Sequence, residues 1–171
     1  VAIGGGAAGL VVATGTAAIG AKTALIEKNK LGGDCTWYGC IPSKSLLKSA
    51  SVFSLLKRLD EFGIHSKGNI EHDLSKVMSH VRSLINKVSS HHPPEVFEKR
   101  GIDVLFGAPK FVDTRTIELN GKHISSKRFI ICTGSHPLVP SIEGLKDIDY
   151  LTNENIFDLE VLPKSIAVLG A

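Results

Sequence analysis

Cysteine is scarce in this chain, three residues in 171. That excludes the small secreted proteins that staple a minimal core with disulfides. Aromatic residues are also few, ten in all and scattered. Nucleic-acid surfaces want clustered Lys/Arg interleaved with stacking rings, so no nucleic-acid partner is expected. Charge is missing altogether from residues 1–21. A hydropathy window would pass that stretch as a membrane span. Its six glycines and two threonines make it a poor lipid-facing helix, and no basic segment precedes it as in a secretory leader. No membrane role is expected, and the compartment expected is the cytoplasm, where a cysteine pair is more often catalytic or metal-binding than structural.

What is present suits one ordinary domain with a sizeable core. Hydrophobic residues make up 43% and charged residues 22%, well outside the disordered range. The formal charge of +3 is unevenly spread, with ten Lys/Arg against six Asp/Glu through Ile85 and ten against eleven beyond it. A mildly basic first half suits a phosphate-bearing small molecule. The chain opens at Val1 inside one apolar run and closes with another, "SIAVLGA", which reads as a strand. Both ends look like cuts through secondary structure, so a piece of a longer protein is expected.

Along the chain, "VAI", "GGGAAG" and "LVVATGTAAIG" read as strand, glycine turn and helix, and "KTALIEK" as a second strand ending at Glu27. Apolar residues from Pro42 to about Phe62 recur at helical spacing. Leu74, Val77, Met78, Val81, Leu84, Ile85 and Val88 form a second, clearer stripe. Asp73 is its expected N-cap, and Pro93-Pro94 its stop. Short β segments follow, with Asn120-Gly121 a strong hairpin signal. "RFIICTG" reads as a buried strand, and residues 135–164 as irregular with a short helix near Asn153–Leu159. The fold class expected is α/β, a Rossmann-like parallel sheet with a small antiparallel meander.

Gly4, Gly6 and Gly9 form G-x-G-x-x-G between a strand and a helix, the context that lifts this motif above chance. The first glycine makes the turn, the second admits a pyrophosphate, and the third lets helix and strand pack. Free N–H groups at the helix start attract the phosphates. Glu27, eighteen residues beyond Gly9, stands where a carboxylate accepts hydrogen bonds from a ribose 2′-OH. The motif indicates a dinucleotide without choosing NAD or FAD.

Cys35 and Cys40 are separated by Thr-Trp-Tyr-Gly and followed by Ile-Pro-Ser-Lys. Residues five apart on one regular helix lie too far apart to bridge. The spacing therefore puts Cys35 in a loop and Cys40 in the first turn of a helix, with Gly39 easing the bend and Pro42 fitting the helix start. A thiol at a helix N-terminus near Lys44 gains thiolate character. Zinc would need two further ligands at matching spacing; Cys132 stands alone and His91-His92 are adjacent. A structural bridge over so short a loop gains little entropy. A redox pair is the favoured reading of the three.

"LGGDCTWYGCIPSK" resembles the redox-active segment of the class I pyridine nucleotide-disulfide oxidoreductases. Their usual wording is close to G-G-T-C-x-N-x-G-C-x-P-S-K. Gly4, Gly6, Gly9 and Glu27 then resemble the family's FAD fingerprint, Gly107-Ala108 the stretch that passes the adenine, and "IICTGS" the segment that closes over the flavin nucleotide. The final "SIAVLGA" resembles the first strand of an NAD(P)H-binding domain. The resemblance implies residues 1–164 as an FAD-binding domain and 165–171 as the start of the next. It implies Cys35, Cys40 and Lys44 as catalytic, with Cys35 the exposed thiol that meets substrate and Cys40 the thiol nearer the flavin. Lys28, Gly33, Asp34, Lys44, Ala108, Thr133 and Gly134 join the glycines and Glu27 as implied cofactor contacts. It further implies an enzyme passing electrons from NAD(P)H, bound in a part beyond this sequence, to a disulfide or Hg(II), as a homodimer when full length. Asp34 departs from the family wording, which carries threonine there, and "TWY" departs from "x-N-x". The motif is nearest mercuric reductase-like proteins and dihydrolipoamide dehydrogenase.

Overall fold

The computed structural model describes residues 1–65, 68 and 71–170; Ala171, the last residue of the expected second domain, lies outside them. Four strands form a parallel sheet in the order β3-β2-β1-β7: β1 (Ala2–Ile3), β2 (Thr23–Glu27), β3 (Ile102–Phe106) and β7 (Ile130–Ile131). The helix α1 (Ala7–Ala18) makes the crossover from β1 to β2. The chain thus turns to one side of β1 for β2 and to the other for β7, the arrangement that opens a crevice beyond the strand C-termini. A separate antiparallel meander holds β4 (Lys110–Phe111), β5 (Thr116–Leu119) and β6 (Lys122–Ser125). Asn120 (φ 51°) and Gly121 (φ 75°) make its hairpin turn, both left-handed as a two-residue hairpin requires.

The core lies under the parallel sheet. Ala13 of α1, Leu25 of β2 and Ile102 of β3 pack with Ala2, Leu31 and Phe97. Ile26 faces the other way, onto Ile117 and Leu119 of the meander, so alternate residues of β2 serve the two layers. The helices α2 (Gly33–Trp37), α3 (Cys40–Leu56) and α4 (Leu74–Ser89) form a third unit. Its centre is Met78, Val81 and Ile85 of the stripe read from the sequence, against Trp37, Ile41, Leu46, Phe157 and Leu159.

Several boundaries differ from the sequence reading. The helix expected with Cys40 in its first turn and running to about Phe62 begins at Cys40 and stops at Leu56, with a separate 3-10 turn at Leu59–Phe62. α4 ends at Ser89, and Pro94 opens a short further helix, α5 (Pro94–Glu98); proline suits a first turn, where its missing N–H costs nothing. The short helix expected at Asn153–Leu159 is one 3-10 turn, Ile156–Asp158. β7 is not buried: Ile131 is 67% exposed, because the strand pairs with β1 on one side only among the described residues. Residues 165–170 form no strand and are exposed, since a strand needs a neighbour to satisfy its backbone. Among the described residues no helix is long and apolar enough to cross a membrane.

The Asp73 carboxylate caps α4 by accepting from the Lys76 N–H at 3.3 Å. That bond holds its pKa below the usual carboxylate value. A lowered folded pKa means the cap is fully present above the unfolded carboxylate pKa and is lost as pH falls through the folded one. Asp73→Ala therefore destabilises at pH 7 and has no effect at pH 2, read from urea unfolding curves at the two pH values.

Candidate active site

Three stretches of backbone meet at the C-terminal edge of β1. The first is the glycine loop Gly4–Gly6, the second the Leu31–Gly33 turn that opens α2, the third Cys132-Thr133 after β7. Gly4 has φ +109°, and a Cβ there would lie 2.2 Å from the Cys132 carbonyl oxygen. A Cβ on Gly9 would sit 1.7 Å from the Gly4 oxygen, and one on Gly33 (φ +59°) 2.5 Å from the Gly6 Cα. No side chain fits at these three positions. The Gly32 N–H donates to the Gly5 oxygen at 2.9 Å, and the Gly4 N–H to the Ile26 oxygen at 2.7 Å.

Gly6 is different. A Cβ there would find its nearest atom at 3.6 Å, an ordinary contact, so packing within the chain does not demand glycine. Gly6 is also the N-cap of α1, which has no side-chain cap and no acidic residue in its first turn. The first-turn N–H groups are the helix's unmatched donors. A bare backbone beside unmatched donors and a helix N-terminus fits an approaching phosphate. The cradle therefore fits the dinucleotide expected from the motif.

Glu27 has a defined task already. Its carboxylate is buried, and Oε2 accepts from the Gly5 N–H at 2.6 Å while Oε1 accepts from the Asn29 N–H at 2.8 Å. The sequence assigns it to ribose hydroxyls; the structure shows it holding the glycine loop, with further lone pairs on each oxygen. Gly107 (φ +145°) donates its N–H to the Glu27 carbonyl at 2.9 Å, which brings Gly107-Ala108 to the same rim. Lys28, Ala108, Thr133 and Gly134 are exposed along the strand ends.

The cysteines sit beside this rim because Gly33 belongs to both units. Cys35 lies in α2, not in a loop, and Cys40 is the first residue of α3 after Gly39. Both are free thiols. The exposures run opposite to expectation: Cys40 is exposed and Cys35 half-buried. The α2 turn packs Cys35 against Gly39, where a Cβ would come 3.3 Å from the Cys35 Cα. The Cys35 thiol is pushed above its ordinary pKa, first by its hydrogen bond with the Cys40 side chain, then by burial and the charge of Cys40; the Cys40 N–H and Lys44 oppose the rise. The Cys40 side chain is thus the main influence on the Cys35 thiol. Lys44 is exposed, one turn into α3.

Other readings are refined. Trp37 is a packing residue: its Nε1–H donates to the Leu31 oxygen at 2.9 Å, and Lys30 Nζ lies 3.6 Å from its ring centroid. Cys132 is half-buried against the glycine loop rather than in the core. His91 and His92 follow the C-terminus of α4. Asp34 Oδ1 accepts from Asn153 Nδ2 at 2.9 Å, a contact across 119 residues that the sequence gives no sign of. Among the described residues no three His, Cys, Asp or Glu side chains gather as a metal site would.

The fold is a parallel α/β sheet with a glycine loop at the N-terminus of α1 and two cysteines on adjoining helices beside it. Over residues 1–171 the chain matches the family model "Pyridine nucleotide-disulphide oxidoreductase", and it belongs to that family. It is 35% identical over 169 residues to a mercuric reductase from Lysinibacillus sphaericus, covering 99% of this chain and 31% of that one. It is 36% identical over 176 residues to a dihydrolipoyl dehydrogenase from Acholeplasma laidlawii, covering 98% and 51%. The solved HOCl-induced flavoprotein disulfide reductase RclA from Escherichia coli superposes with a TM-score of 0.77 at 25% identity, over 95% of this chain and 34% of that one. The chain thus spans from 31% to 51% of the length of these relatives.

Three outcomes follow from the geometry. Gly9→Ala costs about 3 kcal/mol or more, since a 1.7 Å approach must be relieved. Gly6→Ala costs no more than a poorer N-cap, about 1 kcal/mol; urea unfolding separates the two. In Cys40→Ala the Cys35 thiol loses its hydrogen-bond partner, and the pH midpoint of its alkylation moves down.

Proposed function

We propose that this chain is the FAD-binding, dithiol-bearing part of an oxidoreductase that passes electrons from NAD(P)H to a disulfide or to Hg(II). The observation that carries the reading is the shared glycine turn: Gly33 packs on the Gly6 backbone and begins the helix that bears Cys35. A phosphate cradle and a reactive sulfur pair are held as one rigid unit. Residues 1–164 would be the FAD-binding domain, and 165–171 the start of the NAD(P)H domain. The α1 N-terminus and Gly6 would hold the pyrophosphate; Glu27, Lys28 and Ala108 would flank the adenosine half; Gly33, Asp34, Lys44, Thr133 and Gly134 would flank the rest. When bound, FAD supplies a two-electron store between the nicotinamide and the cysteines.

The chain's own chemistry is thiol–disulfide exchange. By the family resemblance Cys35 is the substrate-facing thiol, although it is the more enclosed of the two in this structure: its thiolate attacks one substrate sulfur, forms a mixed disulfide and expels the other sulfur as a thiol after proton uptake. Cys40 then gives up its proton and attacks Cys35 Sγ, which closes the Cys35–Cys40 disulfide and releases the second thiol. Two electrons leave the pair and two protons go to the product. With Hg(II) the same two thiolates would act as ligands, soft sulfur suiting a soft cation. The Cys40 side chain, with burial, makes Cys35 a weaker acid, so the first attack quickens with pH. Lys44, one turn from Cys40, favours negative charge at the pair.

A second reading rests on extent. The chain covers 31% of the mercuric reductase and 51% of the dihydrolipoyl dehydrogenase, so by itself it would bind FAD without turning over. Titration with FAD, followed by desalting and a visible spectrum, tests both. The expected result is one FAD retained per chain, with Gly6→Ala binding at least tenfold more weakly. A colourless protein after loading would overturn the assignment.

A further inference from the structure

The residues between Tyr150 and Leu159 form a strap laid across the cysteine unit. Phe157 and Leu159 anchor it apolarly on Met78, Val81 and Ile85 of α4. Its own turn is tied by the Thr152 N–H donating to Asn155 Oδ1 at 2.7 Å and the Ile156 N–H donating to the Thr152 oxygen at 3.0 Å. Glu154 Oε1 pairs with His136 Nδ1 at 2.5 Å, which fastens the strap to the segment after β7. From this braced platform Asn153 donates its amide to Asp34 Oδ1 at 2.9 Å.

Asp34 immediately precedes Cys35, and its other oxygen faces the residue immediately before Cys40. A Cβ on Gly39 would lie 3.0 Å from Asp34 Oδ2 and 3.1 Å from the Asp34 carbonyl oxygen. The carboxylate is therefore a wedge between the two cysteine-bearing segments, gripped on its outer oxygen by Asn153. Disulfide closure demands a narrow window of Cα separation and direction. A side chain that fixes how α2 meets α3 fixes how often the sulfurs occupy that window.

We propose that Asn153 is a positioning residue for the Cys35–Cys40 pair, acting through the Asp34 carboxylate. It touches neither sulfur. Its amide orients the wedge, the wedge sets the α2–α3 junction, and the junction sets the effective concentration of one thiol at the other. Loss of the amide leaves the dithiol intact and makes the disulfide easier to reduce.

The inference rests on the dithiol reading, and the test separates the two. The equilibrium constant for disulfide formation is measured in glutathione buffers by thiol trapping, for the wild type, Asn153→Ala, Asp34→Ala and the double variant. No Cys35–Cys40 disulfide in the wild type sinks the dithiol reading and this proposal with it. With the wild-type disulfide formed, Asn153→Ala is expected to lower the constant about fivefold, Asp34→Ala by at least as much, and the double variant no further than Asp34→Ala. A purely structural strap predicts a lower melting temperature for Asn153→Ala with the constant unchanged within twofold; that result overturns the proposal, as does additivity of the two substitutions. Where Asn153→Ala melts below the assay temperature, Asn153→Ser enters the same cycle.

Discussion

The site depends on a contact between bare backbones. Gly4, Gly9 and Gly33 each stand where a single added carbon would come within 2.5 Å of another main-chain atom. This close packing draws the β1–α1 loop, the α2 turn and the end of β7 into one junction. Hydrogen bonds complete it: Gly32 to Gly5, Gly4 to Ile26, and the Glu27 carboxylate to the Gly5 N–H. Side chains contribute little at the centre, which leaves the α1 N-terminus open to a ligand.

The cysteine pair follows from the same junction. Gly33 opens α2, and five residues of helix bring the chain to Tyr38 and Gly39, where α3 begins. α4, through Met78 and Val81, then backs α2 and α3 at Trp37, Ile41 and Leu46. Dithiol and cradle are thus fixed to one another through backbone, and to the body of the domain through an apolar layer.

The sequence shows much of this because the decisive features are local. A glycine pattern between a strand and a helix has one common structural meaning, and the amphipathic stripe from Leu74 to Val88 appears in place with Asp73 at its head. The hairpin at Asn120-Gly121 is legible for the same reason. What could not be read was relational. Nothing local reveals that Asp34 meets Asn153, that Glu27 is turned onto its own loop, or that Cys35 is the more enclosed thiol. "RFIICTG" reads as a buried strand and "SIAVLGA" as a strand because their composition is apolar, but pairing and burial come from neighbours. Ile131 has a strand neighbour on one side only and Val168 on neither among the described residues, and they stand 67% and 76% exposed.

The central claim is that the cradle and the cysteine pair form one electron-handling unit. Anaerobic reductive titration of the FAD-loaded protein tests it most directly. Two two-electron centres in communication predict uptake of four electrons per bound FAD, falling to two in Cys35→Ser. Uptake of two electrons by the wild type, with the Cys35–Cys40 disulfide still intact at the end point, would contradict the account.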